Sequence, residues 1–187
     1  MDLVSIILLI VGAIAVVGIV LYFISIYNRL KSLKNSAEAT LGQVRVALKK
    51  RLDTIDQLLG SVKSYATFEK ETFEGVTKMR TAVMSAGVGS LSEIDRESRR
   101  MLGGIVAVAE NYPTLRTSEP VAKLMDSIKS IEDEVARHRY TYNNIIQEFN
   151  TLVDTIPSKY IAASQSMSKV EYFKIEEEVE KRPEIKF

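Results

Sequence analysis

The first 28 residues differ from the rest of the chain because they are apolar on every side of a helix. From Leu3 to Tyr27 there are 25 consecutive residues without a charge, and 17 of them are Leu, Ile, Val or Phe. A helix of that length spans about 38 Å, which exceeds the hydrocarbon core of a bilayer, about 30 Å. Residues 1–28 are therefore predicted to form an N-terminal transmembrane anchor.

Two other interpretations of this run fit less well. A cleaved secretory signal would carry Lys or Arg before the apolar stretch and small residues at a cleavage site after it. Here only Asp2 precedes the run, and no Ala-x-Ala-like site follows it. A buried core helix is normally shorter and amphipathic, so the transmembrane interpretation is preferred.

After the span the pattern changes to apolar residues at every third or fourth position, which is typical of amphipathic helices. The first such stripe consists of Leu30, Leu33, Ala37, Leu41, Val44, Leu48, Leu52, Ile55, Leu59 and Val62. Similar stripes predict helices over about 29–84, 92–111 and 119–156. Ser92 followed by Asp95 resembles a capping box, which places the start of the second of these helices at Ser92.

Helices with apolar stripes bury those stripes against one another. The predicted fold class is therefore all-α, with an N-terminal transmembrane helix followed by an antiparallel helical bundle with long helices. We expect the bundle to occupy residues 29–157. Residues 158–187 are expected to form a C-terminal tail, with a short helix and an extended charged segment.

Charge on the two sides of the span predicts its orientation. Seven bases and one acid lie between residues 28 and 52, whereas only Asp2 precedes the span. The positive-inside rule then places the body in the cytoplasm and the N-terminus outside the cell membrane. The first three bases, Arg29, Lys31 and Lys34, are candidate contacts for lipid headgroups, although topology determination alone also explains them.

Motifs spread over most of the chain resemble the LemA family. The longest is Arg-Leu-Asp-Thr-Ile-Asp-Gln-Leu-Leu-Gly-Ser-Val-Lys-Ser-Tyr-Ala-Thr-Phe-Glu over residues 51–69, and Glu-Asn-Tyr-Pro over 110–113 is another. Tyr142-Asn143 and Phe149-Asn150 also fit, although Phe149 replaces a tyrosine and Asp56-Gln57 replaces Pro-Asn. The resemblance implies a membrane-anchored helical bundle whose molecular function is generally undefined.

The inventory of catalytic residues is small. The chain contains one histidine, His138, and no cysteine, which excludes Cys/His nucleophilic sites and most multi-histidine metal sites. No glycine-rich phosphate-binding loop follows a predicted strand. A net charge of +1 argues against bulk nucleic-acid binding. We expect no catalysis, no cofactor and no metal.

One group of polar residues lies along the apolar stripes. Glu132, Arg139, Asn143 and Asn150 fall within about 20° of one line on a helical wheel. On the first helix, Arg51 and Glu69 border the stripe in the same way. These six residues, the polar seam, either pair across helices to fix their register or line a polar ligand site. The structural interpretation is preferred, because charges inside a bundle need partners in any protein.

Two functions remain open at this point. The first is a membrane-tethered interaction or scaffold protein that self-associates and binds a protein partner not identifiable from the sequence. The second is a membrane-proximal sensor or accessory subunit that binds an anionic lipid or a small ligand. Both have the lipid bilayer as a partner. They differ in whether the bundle forms a homo-oligomer.

Overall fold

A computed structural model describes residues 2–62, 70–112 and 118–174. All regular secondary structure among these residues is α-helical, which confirms the all-α fold class. The helices described are α1 (Leu3–Val62), α2 (Lys70–Ala82), α3 (Val88–Asn111), α4 (Glu119–Asp154) and α5 (Ser158–Ser164).

The chain forms two compact units. One comprises Met1–Glu38 with Asn144–Val170 and is called the anchor unit here. The other, the bundle unit, comprises Ala39–Asn143 with Glu171–Phe187. Helices α1 and α4 each supply residues to both units, whereas α2 and α3 belong to the bundle unit and α5 to the anchor unit. The boundaries expected from the sequence, at residues 28 and 157, stay a prediction.

The anchor unit begins with the apolar part of α1. Every residue from Leu3 to Ser25 is exposed, although most of them are large and apolar. Among the described residues, α1 is the one helix that is long and apolar enough to cross a membrane. Exposure of such a surface to water would be costly, at roughly 25 cal/mol for each Å² of apolar area. This part of α1 is therefore suited to lipid.

The core of the anchor unit lies just after the apolar run. Leu30 and Leu33 of α1 are buried together with Phe149 of α4 and Ala162 of α5. Asn150 also belongs to this unit and is buried. Its side-chain amide donates to the carbonyl of Val170 at 2.9 Å and its oxygen accepts from the Val170 N–H at 2.9 Å. The chain after α5 is thereby tied to α4.

The bundle unit corrects the prediction of one helix over residues 29–84. Arg80 of α2 pairs with Asp53 and Asp56 of α1, at 2.6 and 3.0 Å. In a continuous helix, Asp53 and Arg80 would be about 40 Å apart. Helices α1 and α2 are therefore separate helices that pack side by side in opposite directions, and residues 63–69 lie outside the described residues. The reversal brings Val76 onto the same apolar cluster as Leu59.

Helix α3 begins at Val88, four residues before the predicted start at Ser92. Its N-cap is Gly87, which has no side chain that could form a cap hydrogen bond. The preceding connector is held by Arg45 of α1, which donates to the carbonyl of Ala86 at 2.9 and 3.1 Å. The capping-box interpretation of Ser92 and Asp95 is wrong, because both lie inside the helix and Asp95 has other partners.

The apolar core of the bundle unit joins α1, α2, α3 and the first half of α4. Ten buried residues form it: Ile55, Leu58, Leu59, Val62, Val76, Leu102, Ile105, Ala109, Val121 and Ile128. At about 1.5–3 kcal/mol for each large apolar side chain, this cluster contributes substantially to the stability of the unit. The buried charge of α1, Arg51, lies about one turn before the first residue of this cluster, Ile55.

Candidate functional site

Arg51 is the largest fully buried side chain in the described structure. It lies on α1 between buried residues Leu48 and Leu52, with a relative exposure of 0%. A buried guanidinium carries five N–H donors and a positive charge that water no longer stabilises. Its position therefore requires acceptors and a counter-charge from neighbouring helices.

Asp95 of α3 provides the main counter-charge, and it binds two arginines at once. Its Oδ1 accepts from Arg51 Nη1 at 2.6 Å, and its Oδ2 accepts from Arg139 Nη1 at 2.6 Å. The carboxylate is 5% exposed, and the two guanidinium groups are 0% and 10% exposed. Charge-assisted bonds of this length are stronger than neutral ones. One carboxylate thus links α1, α3 and α4.

Glu132 of α4 completes the partners of Arg51. Its Oε2 accepts from Arg51 Nη2 at 2.8 Å, and its Oε1 lies 2.7 Å from Arg51 Nε. Ser98 accepts from Arg51 Nη1 at 3.1 Å. Half-exposed Arg99 approaches Asp95 at 3.4 Å and Glu132 at 3.7 Å. These residues, with Asp95 and Arg139, are called the arginine–carboxylate network below.

Arg139 also contacts the C-terminal segment, defined here as residues 171–174. Its Nη2 donates to the carbonyl of Lys174 at 3.0 Å, and its guanidinium carbon lies 5.0 Å from the ring centroid of Phe173. Asn143 donates to the Phe173 carbonyl at 3.0 Å and accepts from its N–H at 2.8 Å. The ring of Phe173 is 1% exposed. The segment is thus anchored by its backbone and by one aromatic side chain.

Tyr142 provides a further contact to this segment. Its hydroxyl donates to the carbonyl of Glu171 at 3.2 Å, and the residue is buried. Burial, and to a smaller extent the Glu171 carboxylate, raises the pKa of Tyr142 above its ordinary value of 10.0. The neutral phenol is therefore the form that the folded unit stabilises.

The structure brings together only part of the predicted polar seam. Arg51 and Glu132 pair directly, and Arg139 joins them through Asp95. Asn143 binds the C-terminal segment, while Asn150 belongs to the anchor unit. Glu69 lies outside the described residues. That the seam is a structural pairing rather than a ligand site stays a prediction.

The three candidate lipid contacts lie in the anchor unit. Arg29 pairs with Glu148 of α4, with its Nε 2.8 Å from the carboxylate. Lys31 and Lys34 are exposed on α1. They are three positions apart and therefore share one face of the helix. Their role toward lipid headgroups stays a prediction.

Sequence reasoning missed Asp95 as a member of the network. The pattern predicts a capping box at this position, because a Ser three residues before an acid is common at helix starts. A usable signal was present, since buried Leu91 and Ser98 lie four residues before and three residues after Asp95, on the same face of α3. An acid on a buried face needs a basic partner, and Arg51 was the basic residue already assigned to an apolar stripe.

Chemically, the network holds charges in fixed pairs. Both Asp95 oxygens accept from arginines, and both Glu132 oxygens lie close to Arg51. Residues 2–62, 70–112 and 118–174 contain no group of three or more His, Cys, Asp or Glu side chains placed to hold a metal ion. The arrangement is suited to joining helices. The fold and the apolar helix together define a membrane-associated helical protein.

Comparisons with known proteins give its family. The model of the LemA family matches residues 40–187. Protein LemA of Metamycoplasma hominis is 25% identical over 162 residues, which cover 84% of this chain and 74% of that protein. Magnetosome protein MamQ 2 of Paramagnetospirillum magneticum is 22% identical over 193 residues, covering 89% and 71%. Magnetosome protein MamQ of Magnetospirillum gryphiswaldense is 22% identical over 191 residues, covering 86% and 70%. The chain belongs to the LemA family, as its motifs predict.

Proposed function

We propose that this protein is a membrane-tethered, non-catalytic scaffold whose bundle unit self-associates and presents a surface to a protein partner. The observation that carries the proposal is the bridging of α1, α3 and α4 by Asp95 through two buried arginines. Because these charges are paired within the chain, they stabilise one arrangement of the helices. The outer surface is then available for interactions. The relatives' names, Protein LemA and Magnetosome protein MamQ, specify no reaction.

In this proposal the scaffold is held at the cell membrane by the apolar part of α1, with its N-terminus outside and its body in the cytoplasm. The excess of bases after the span supports that orientation, because short loops rich in Lys and Arg remain on the cytoplasmic side. Arg29, Lys31 and Lys34 are the first of these bases. Anchoring raises the local concentration of the bundle and favours weak contacts between copies.

The test is the mass of the protein in solution. Multi-angle light scattering of the full chain in mild detergent, and of a fragment that begins at Asn28, should give the same oligomer in both cases. The span lacks a Gly-x-x-x-G pair, since Gly12 and Gly18 are six residues apart, so the contacts are assigned to the bundle. A monomer over a wide range of concentrations in both samples would contradict the scaffold proposal.

A second candidate function is an accessory or sensor protein that binds an anionic lipid or a small ligand near the membrane. The exposure of Lys31 and Lys34 on one face of α1 favours it. Binding of the fragment to anionic vesicles should then fall when both lysines are replaced by Gln. Replacement of the exposed Lys129 of the bundle unit by Gln is the matched control, and an equal effect of both changes would contradict this function.

A further inference from the structure

The packed part of α1 begins where its apolar run ends. Ile26 is the first partly buried residue of the helix, and Leu30 is the first fully buried one. Arg29 carries the first charge after the run and must lie outside the hydrocarbon core. Ile26 precedes it by three residues, or about 4.5 Å along the helix. If α1 spans a bilayer, the residues that pack against α1 therefore begin at the level of the headgroup layer.

The residues that cover α1 at this level come from the end of α4 and from α5. Leu152 and Val153 of α4 and Ile161 of α5 pack on the same cluster as Ile26. Ala162 of α5 is fully buried in that cluster. Residues 155–160, which connect the end of α4 to the first turn of α5, are called the α4–α5 corner here. This corner is consequently held beside the part of α1 that follows the apolar run.

The corner exposes two large apolar residues and buries Ser158 between them. Ile156 is 71% exposed and Tyr160 is 61% exposed, whereas Ser158 is 3% exposed. The Ser158 hydroxyl donates to the carbonyl of Thr155 at 2.9 Å, which satisfies it inside the unit. Single exposed apolar residues are ordinary on protein surfaces. Two of them within five residues, next to the end of an apolar helix, are better suited to an interface.

The chemistry of this surface matches the boundary between lipid tails and headgroups. Tyrosine is enriched in that layer because its ring is apolar and its hydroxyl polar. Lys159 lies beside Tyr160, with its ammonium nitrogen 6.0 Å from the ring centroid. A lysine at this depth extends its charge toward the headgroups while its aliphatic part stays among apolar groups.

We propose that the α4–α5 corner is a second membrane contact, in which Ile156 and Tyr160 enter the leaflet from which α1 emerges. The proposal rests on membrane anchoring by α1, since the corner meets lipid only if the adjacent apolar run is inserted. It commits the surface to a lipid leaflet rather than to a protein. In the anchored chain the corner fixes the anchor unit against the bilayer surface, where a single span would leave it free to tilt.

The chain contains no tryptophan, so a single introduced Trp reports on its own surroundings. Ile156→Trp and Tyr160→Trp place the reporter at the corner, and Tyr27→Trp places it at the end of the span. Glu38→Trp is the control outside the membrane, because Glu38 is exposed on the same helix, about 18 Å beyond Ile26. The full chain is reconstituted in vesicles whose lipids carry bromine atoms, which quench Trp emission on contact, at defined depths.

The two corner reporters should lose emission with shallow bromines to the same extent as Tyr27→Trp, while Glu38→Trp should keep its emission. Quenching of Tyr27→Trp without quenching of either corner reporter would overturn the second contact and leave the anchor intact. Absence of quenching at Tyr27→Trp as well would show that anchoring itself fails. A blue-shifted corner emission that bromolipids do not quench would indicate a protein partner and would also overturn the proposal. Circular dichroism of each variant confirms that its helices form.

Discussion

Replacement of Asp95 by Asn is the most direct test of the arginine–carboxylate network. The change keeps the shape of the side chain and removes the one charge that two buried arginines share. Arg51 would retain Glu132 as its counter-charge, whereas Arg139 would retain the carbonyl of Lys174. Because the new amide group also brings two N–H donors toward arginine donors, the site gains a repulsive contact as well.

The expected loss of stability follows from burial and from the number of bonds. Asp95 is 4% exposed, so its charge is poorly replaced by water. Each hydrogen bond to a charged group is worth about 1.5–3 kcal/mol, and removal of one partner of a buried ion pair costs about 3–5 kcal/mol. We therefore expect Asp95→Asn to lower the free energy of unfolding by about 3–5 kcal/mol, a large part of the total in most domains.

The measurement is urea unfolding of the full chain in mild detergent, followed by the helical circular dichroism signal. Glu93→Gln is the matched control on the same helix, because Glu93 pairs with Arg96 at the surface, where the two side chains are 62% and 60% exposed. Exposed pairs contribute about 0–1 kcal/mol. The control should thus unfold at nearly the same urea concentration as the unchanged protein.

A loss for Asp95→Asn no larger than that for Glu93→Gln would refute the structural interpretation of the network. A double-mutant cycle with Arg139→Gln adds a sharper criterion, since residues in direct contact show coupling energies of about 0.5–3 kcal/mol. Two changes whose effects simply add would indicate that Asp95 and Arg139 do not depend on one another, contrary to their 2.6 Å contact.

Three further predictions concern the C-terminal segment, pH and topology. Phe173→Ala should release residues 171–174 and speed tryptic cleavage there, because the 1% exposed ring of Phe173 holds the segment in place. Tyr172→Ala, a change at the 44% exposed neighbour, should leave the rate of cleavage unchanged. Since the pKa of Tyr142 is raised in the folded state, the unfolded chain loses this proton first, and stability should fall as pH rises above about 10. Tyr142→Phe should lose that part of the alkaline decline in urea unfolding, and an unchanged decline would contradict the assignment. A cysteine introduced at Ser166 should stay unlabelled by an impermeant maleimide on intact cells, and labelling without lysis would reverse the proposed orientation.

The sequence was sufficient for features that depend on local periodicity. The apolar run, the helical stripes and the burial of Leu30, Leu48 and Ile55 follow from spacing alone, because helical period determines which residues share a face. The reversal between α1 and α2 could not be predicted in this way. An apolar stripe has the same spacing whether the next stripe continues that helix or belongs to an antiparallel one, and residues 28–84 contain no proline. Contacts between the two helices reveal the reversal, such as the pairing of Arg80 with Asp53 and the packing of Val76 on the same cluster as Leu59.

The C-terminal residues show a second limit. The sequence predicts residues 158–187 as a tail after the bundle, yet Phe173 is buried against the Arg139 guanidinium. The apolar content of that stretch is a single ring among polar neighbours, which gives no periodic pattern. Its binding depends on backbone groups, and every residue except proline carries the same ones. The sequence therefore contains no signal for this contact on the C-terminal side.

On the side of α4, however, the sequence contains a signal for this contact. The polar seam describes it too generally, because it treats Arg139 and Asn143 alike. A helical wheel places Arg139 and Asn143 together in the polar seam, because it gives the direction of each side chain and not its partner. An arginine is satisfied by a carboxylate or a carbonyl, whereas an asparagine presents one acceptor and two donors on a rigid amide. The amide oxygen can accept from the N–H of a residue while the amide nitrogen donates to the C=O of the same residue. Asn143 binds the backbone of Phe173 in this way. An amide beside an apolar stripe is thus suited to holding a backbone segment against the helix, whereas Arg139 serves both roles, because it binds the Asp95 carboxylate and the carbonyl of Lys174.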